Sequence, residues 1–157
     1  FTSGIDSTYK EYIFKYINIH PASAEHFTFQ GSTDGGSSYG VTLTSTYFHA
    51  THDEGDTSTA LSYVAGKDLA QSTSYLRLAD SLSTSADEST SGTLHLFNPS
   101  DTTFVKHFIS RSSVSNTEAK DGFVCGYFNT TSAIDAIQFK MSSGNIDSGV
   151  IKLYGVS

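Results

Sequence analysis

KEYIFKYINI, Lys10 to Ile19, reads in twos. Tyr12, Phe14 and Tyr16 fall on one side of an extended chain, and Ile13, Ile17 and Ile19 on the other. Successive side chains leave a pleated backbone on opposite faces, so aromatic and β-branched residues at this period mark a strand. Bulk on both sides predicts a central strand covered on both faces. His20-Pro21 closes it, because proline has no N–H to give to a ladder.

The same period recurs on either side of a weaker middle. EHFTFQ, Glu25 to Gln30, alternates with Phe27 and Phe29 inward and His26 and Thr28 outward. GSTDGGSSYG follows, and Asp34-Gly35-Gly36 supplies the positive φ angles of a hairpin turn or an exposed loop tip. GVTLTSTYF, Gly40 to Phe48, sets Val41, Leu43 and Tyr47 against a threonine row. Residues 51–60 are polar. Leu61 to Leu82 predicts irregular structure, with one strand near Ser74 to Leu78. Leu69 and Leu76 sit a heptad apart, which permits a short helix that the intervening Ser and Thr weaken. Ser81 to Ser91 reads as a loop. Strands return at Thr93–Asn98, Thr103–Arg111, Phe123–Asn129 and Ala136–Met141, and Val150 onward closes the chain. In Thr103–Arg111, Phe104 and Phe108 should share one face and Val105 and Ile109 the other. About eight strands with turn signals between them predict an all-β, antiparallel β-sandwich, jelly-roll-like, with little helix. Residues 1–157 should form one domain of this kind.

Composition agrees. Ser occurs 26 times and Thr 19 times, while charged residues make up only 16% and aromatics 13%. Strands with polar faces and hydroxyl-rich turns fit that balance, and the aromatics argue against disorder. Net charge is −7 and the nine Lys and Arg are scattered singly. That excludes a nucleic-acid partner, whose affinity depends on neutralising phosphates. Apolar runs are too short to insert in a membrane as a helix. The single cysteine, Cys125, between Val124 and Gly126, forms no intramolecular disulfide and reads as a buried small hydrophobe.

Candidate chemistry concentrates in HATHDEGD, His49 to Asp56. His49 and His52 lie three apart, without the second ligand pair that zinc requires. Asp53, Glu54 and Asp56 could supply hard oxygens to calcium, but not in the EF-hand register. The plainer reading is a solvated acidic loop. No G-x-S-x-G elbow occurs. Asp53-Glu54 and Asp87-Glu88 are adjacent in sequence, which on a strand places them on opposite faces rather than across a glycosidic bond. Asn129-Thr130-Thr131 is a sequon by pattern alone. No cofactor motif emerges, and the reading is non-enzymatic. The candidate ligand or partner surface is Tyr39 beside the Gly-rich turn, with Tyr47, His49, His52, Asp53 and Asp56. Tyr47 and Phe48 have a bland reading as a strand end that buries normally, and Phe48 is taken that way.

Three stretches together carry a resemblance: YKEYIFKYINIHPAS (Tyr9–Ser23), GTLHLFNPSDTTFVKHFISR (Gly92–Arg111) and NTTSAIDAIQFKMSSGNIDSGVIKLYG (Asn129–Gly155). The chain resembles the C-terminal β-sandwich domains of tailed-bacteriophage virion proteins, especially those of marine phages. In that family an opening Y-x-x-Y strand, an L-x-N-P-S turn and a closing G-x-I-x-L-Y-G strand recur. They match Tyr9–Tyr12, Leu96–Ser100 and Gly149–Gly155. The likeness is weakest from Ala50 to Ser91.

The resemblance implies a virion-surface location, on a tail fibre or the capsid exterior, and transfers no catalytic residue. Its first implication is a tail-fibre receptor-binding domain for host attachment, contacting a host-surface glycan or protein. The alternatives are a capsid or head-fibre decoration with a purely structural docking role, and a carbohydrate-binding module or depolymerase accessory domain. Expected partners are other virion proteins and two further copies in a homotrimer. The opening FTSGIDSTYK lacks a methionine and the end is a strand, so the chain is expected to be the C-terminal module of a longer fibre or virion protein. In this reading two rigid layers hold the molecule while the connecting segments do the touching.

Overall fold

The computed structural model describes residues 1–157. KEYIFKYINI forms most of strand β1, Glu11–Pro21. Tyr12, Phe14 and Tyr16 are buried as their period requires. The opposite face is not covered: Lys15 is exposed and Ile17 is 41% exposed. β1 lies inside its sheet, yet only one of its faces meets a second layer. Ile19 rejoins the core because the register shifts between Tyr16 and Ile19, with Asn18 at φ 51°. That is a bulge, in which one extra residue returns the next side chain to the inner face. Gly149 faces it on the partner strand at φ 124°, where a Cβ would lie 2.7 Å from the Asn18 carbonyl oxygen.

The remaining strands are β2 (Glu25–Ser32), β3 (Leu43–Asp53), β4 (Thr59–Tyr63), β5 (Leu76–Leu82), β6 (Thr90–Phe97), β7 (Lys106–Ser115), β8 (Glu118–Phe128), β9 (Ala136–Met141) and β10 (Ile146–Val156). There is no helix. They form an antiparallel seven-stranded sheet, β10-β1-β6-β7-β8-β3-β4, and an antiparallel three-stranded sheet, β5-β2-β9. The long-range pairing is nested: β1 with β10, β2 with β9, β3 with β8. The chain therefore runs as a double-stranded ribbon folded across two layers, the jelly-roll arrangement. Asp34-Gly35-Gly36 lies on the crossover from β2 to β3, between sheets, so it is an exposed loop and not a hairpin.

One core joins the layers. Phe29 of the small sheet meets Phe108 edge-on at 5.1 Å and Phe128 at 5.9 Å, and Phe27 lies 5.2 Å from Tyr16. The Tyr16 hydroxyl is paired with Ser110 Oγ at 3.1 Å and Ser112 Oγ at 2.5 Å, so this polar tip is buried with partners. It fits only because residue 92 is glycine: a Cβ there would stand 2.6 Å from the hydroxyl and 2.3 Å from the Arg111 carbonyl oxygen. β7 alternates buried and exposed without a break from Lys106 to Ser115, which fixes which residues point outward.

Three strands cannot cover seven, and the chain closes the gap with segment 64–75. It continues along the β3 edge where β4 stops: Val64 N–H donates to Tyr47 O, Ser45 N–H to Leu69 O, and Leu43 N–H to Ser72 O. Leu69 packs against the core from this segment, so the permitted helix does not form. Lys67 reaches over the Tyr47 ring, 5.5 Å from its centroid, to the Asp80 carboxylate on β5. Two further differences matter for the surface. β7 begins at Lys106, not Thr103, because the Asp101 carboxylate accepts from the Thr103 and Phe104 N–H groups and holds a turn. Phe104 is consequently 69% exposed and does not share a strand face with Phe108. β3 runs on to Asp53 and pairs with β4, a strand absent from the sequence reading.

Candidate functional site

The pleat of β3 disperses the cluster expected at His49–Asp56. His49 points inward beside Tyr47, with ring centroids 6.0 Å apart, while His52 points outward. Residues three apart on a strand lie on opposite faces. Tyr47 is fully buried, and burial drives its hydroxyl pKa far upward, so it is no part of an exposed surface. Phe48, taken as buried, is instead exposed and stacks on Phe123 at 4.8 Å with a 3° interplanar angle. Tyr47 thus keeps the face it shares with Leu43 and follows its bland reading, while Phe48 does not.

Asp53 is the keystone of the β3–β4 hairpin. Its Oδ1 accepts from the Thr57 and Ser58 N–H groups, at 2.9 and 2.6 Å, and Oδ2 accepts from Thr57 Oγ1 at 2.6 Å. The Thr57 and Ser58 bonds hold its carboxyl below the usual range. Asp56 sits in the turn at φ 53°, with Oδ1 3.1 Å from His52 Nε2. Glu54 is exposed, and its N–H donates to Thr117 O. Asp53, Glu54 and Asp56 therefore do not converge on a cation, and no trio of His, Cys, Asp or Glu does so elsewhere. Tyr39 lies half-buried on the β2–β3 crossover, before the start of β3. His52 is nine residues beyond Leu43, about 30 Å along a strand. The six expected residues form no single site.

What the fold does assemble is the outer face of the large sheet. Register places Thr93, Arg111, Phe123, Phe48 and Tyr63 in one row across β6, β7, β8, β3 and β4. The Arg111 guanidinium lies 4.9 Å from the centre of the Phe123 ring. It also grips Asp121 with two bonds, Nε to Oδ1 at 2.9 Å and Nη2 to Oδ2 at 2.6 Å, which raises its pKa further. This fork geometry fixes both side chains in an exposed position. On one side of the row is a depression of about 540 Å³ that includes Ala50, His52, Thr93, Arg111, Ser113 and Asp121. It crosses β3, β8, β7 and β6, about 14 Å at the spacing of strands. Past His52 it meets a smaller hollow of about 340 Å³ beside Glu54 and Ser115. On the other side is an apolar depression of about 460 Å³ beside Phe97, Ile109 and Tyr127. Cys125 lies there, exposed, its Sγ 3.0 Å from Thr46 Oγ1, and is not the buried hydrophobe expected.

The chain matches no family model, no curated protein and no solved structure. Its site must be read from its own geometry.

Sequence reasoning missed Arg111, Asp121, Thr93 and Phe123 as neighbours. The signal was present in RSSVSNTEAKDG. Continuing the alternation of β7 through Ser113 and Ser115, around a turn at Asn116-Thr117, brings Asp121 opposite Ser113 and diagonal to Arg111. A serine-rich strand lacks the hydrophobic contrast that makes alternation visible.

Inside the sandwich, polar groups gather where segment 64–75 closes the side. Asp80, with a side chain 3% exposed, faces Lys67, Arg77 and His26. Burial pushes its carboxyl up, but hydrogen bonds from Lys67 and Ser81 with the nearby positive charges outweigh this and hold it below its ordinary value. Burial lowers both His26 and His49. The carboxylate is enclosed, with His26 and Arg77 reaching it from the surface, and the cluster ties elements together.

Proposed function

We propose that the chain is a non-enzymatic surface protein of a bacteriophage virion, acting as a tail-fibre domain that attaches to the host. The reading is supported by the likeness of Tyr9–Ser23, Gly92–Arg111 and Asn129–Gly155 to phage virion sandwich domains. The observation that carries it is the open outer face of the large sheet. A closed aromatic core makes the scaffold rigid, while the opposite face holds a fixed Arg–Asp fork and stacked aromatics toward solvent. Preorganised side chains lose little freedom on binding, which favours recognition by a small area. Repetition in a homotrimer would turn weak contacts into useful avidity.

The test is multivalent display of the chain on beads, offered to a panel of marine bacterial isolates. Saturable adsorption, competed by free chain, is expected on at least one isolate. Absence of adsorption across the panel would count against host attachment.

The edges of the large sheet favour a second reading, docking to other virion proteins as a decoration. Leu61 and Tyr63 on the β4 edge are 76% and 57% exposed, and Val150 and Tyr154 stand out on β10. Unpaired edges with apolar side chains invite a neighbouring strand. Locating the chain in a virion density map separates the two readings, since decoration predicts a position away from the adsorption apparatus.

A further inference from the structure

The larger depression on the large sheet sets a few polar groups in a lining that is mostly carbon, a chemistry that selects among ligands. Its lip carries one cation and one anion already paired to each other, Arg111 and Asp121. The floor and walls offer the hydroxyls of Thr93 and Ser113 and the methyl groups of Ala50 and Ala119, while the Ser91 hydroxyl is already bonded to Asn18. His52 stands at the far end. Lys120 also borders the hollow, but its ammonium is turned inward to Glu118 at 2.8 Å. No uncompensated positive charge therefore faces the hollow from these residues.

From this we infer that the depression is a binding site for a neutral, hydroxyl-rich glycan, with the Arg111–Asp121 pair as its polar clamp. The paired fork offers both signs of hydrogen bonding at once. Guanidinium N–H groups donate to sugar oxygens, and the carboxylate accepts from sugar hydroxyls. An acidic sugar gains little, because Arg111 is neutralised and the whole chain carries −7. A peptide gains little either. Strand addition needs a sheet edge, and this hollow lies mid-sheet, where each of its four strands already has a paired neighbour on both sides. An apolar ligand would desolvate the Thr93 and Ser113 hydroxyls and the ion pair without replacing the hydrogen bonds they make to water. The hollow runs across four strands, which suits a short linear oligosaccharide lying over the sheet.

This inference rests on the attachment reading for its biological setting, and the experiment separates the two. The ¹⁵N-labelled chain is titrated with the methyl glycosides of glucose, galactose and mannose, with N-acetylglucosamine, and with methyl glucuronide. Ligand concentrations on the order of 100 mM fill even a site of Kd about 10 mM to roughly nine-tenths. At least one neutral sugar should shift the amides of Ser91–Thr93, Arg111–Ser113 and Ala119–Asp121 together with the Arg111 Nε signal. Methyl glucuronide should bind no more tightly than methyl glucoside. Arg111→Ala and Asp121→Asn, each with an otherwise unchanged spectrum, should weaken binding about tenfold, as expected for loss of a charge-assisted hydrogen bond. Silence with all four neutral sugars, shifts confined to the Tyr39 loop, or preference for the glucuronide would each overturn the inference. The same variants are then tried in the bead assay. If Arg111→Ala loses sugar binding but adsorbs to cells undiminished, the glycan site stands and attachment through this face is refuted. Sugar binding without cell adsorption supports the site and refutes attachment.

Discussion

Replacing Asp80 by Asn tests how the open side of the sandwich is closed. The carboxylate is almost wholly enclosed. Lys67 contacts Oδ2, Arg77 Nη1 lies 3.1 Å from Oδ1, and Ser81 Oγ donates to Oδ2 at 2.8 Å. Asn keeps the shape and removes the charge, so Lys67, itself only 16% exposed in its side chain, loses its counter-ion. Breaking a buried pair from one side costs about 3–5 kcal/mol, because the abandoned charge stays desolvated. Lys67 sits on an irregular segment and can swing partly outward, which places the loss near the lower end, about 3 kcal/mol. For a chain of this size that is a fall in Tm of roughly 6–12 °C. The effect has a pH signature. Asp80 titrates below its unfolded value in the folded protein, so its contribution is complete above about pH 4 and drains away as the pH falls below that. Urea unfolding at pH 7 and pH 3 reads both quantities. The two proteins should differ at pH 7, and the difference should narrow at pH 3. Adding Lys67→Met to Asp80→Asn should recover much of the loss, since the stranded charge is then gone. A difference below about 0.5 kcal/mol at pH 7 would refute the reasoning, because surface substitutions fall in that range.

Three further outcomes follow from local packing and titration. Gly92→Ala places a methyl against the Arg111 carbonyl and the Tyr16 hydroxyl, and the resulting overpacking should cost about 1–3 kcal/mol in thermal unfolding; an unchanged Tm would contradict the packing described. The Asp34 carboxyl, held by hydroxyl bonds from Ser32 and Ser38 and by the Ser38 N–H, should titrate at about 2 when followed by carboxyl ¹³C NMR; a midpoint at its ordinary 3.8 would mean the loop before Tyr39 is not so organised. His26 and His49 both titrate below 6.5 in the folded chain, so the unfolded chain binds more protons as the pH drops through 6.5 and stability falls with it. Tm should decrease from pH 7.5 to 5.5, and His26→Asn combined with His49→Asn should flatten that slope.

Much of the fold was legible where hydrophobic contrast was high. β1, β2, β9 and the inner face of β3 follow from alternating Phe, Tyr and Ile against Thr, Lys and His. What failed has physical causes. Ile13 and Ile17 looked like a second covered face, but β-branched residues also suit an exposed sheet surface, and no third layer packs on the outer face of the large sheet. β4 is invisible because Thr59, Ala60 and Ser62 carry no contrast and an edge strand has little to bury. Phe104 was assigned to a strand because the Asp101 cap that removes it is a local hydrogen-bond pattern, not a periodicity. The candidate site was almost illegible. Its residues come from four strands, and their meeting depends on the registers between strands far apart in sequence. The expectation that loops do the touching drew attention to His49–Asp56, where the carboxylate of Asp53 is instead spent on holding a hairpin.

The central claim is that a rigid jelly-roll sandwich presents the outer face of its seven-stranded sheet for recognition. Hydrogen exchange of the chain, free and adsorbed on a bacterial isolate that retains it, addresses this most directly. Slowed exchange is predicted at Ser91–Thr93, Arg111–Ser113 and Ala119–Phe123, with the β2–β3 crossover around Tyr39 unaffected. Protection confined to residues 33–42, or to the β4 and β10 edges, would contradict it.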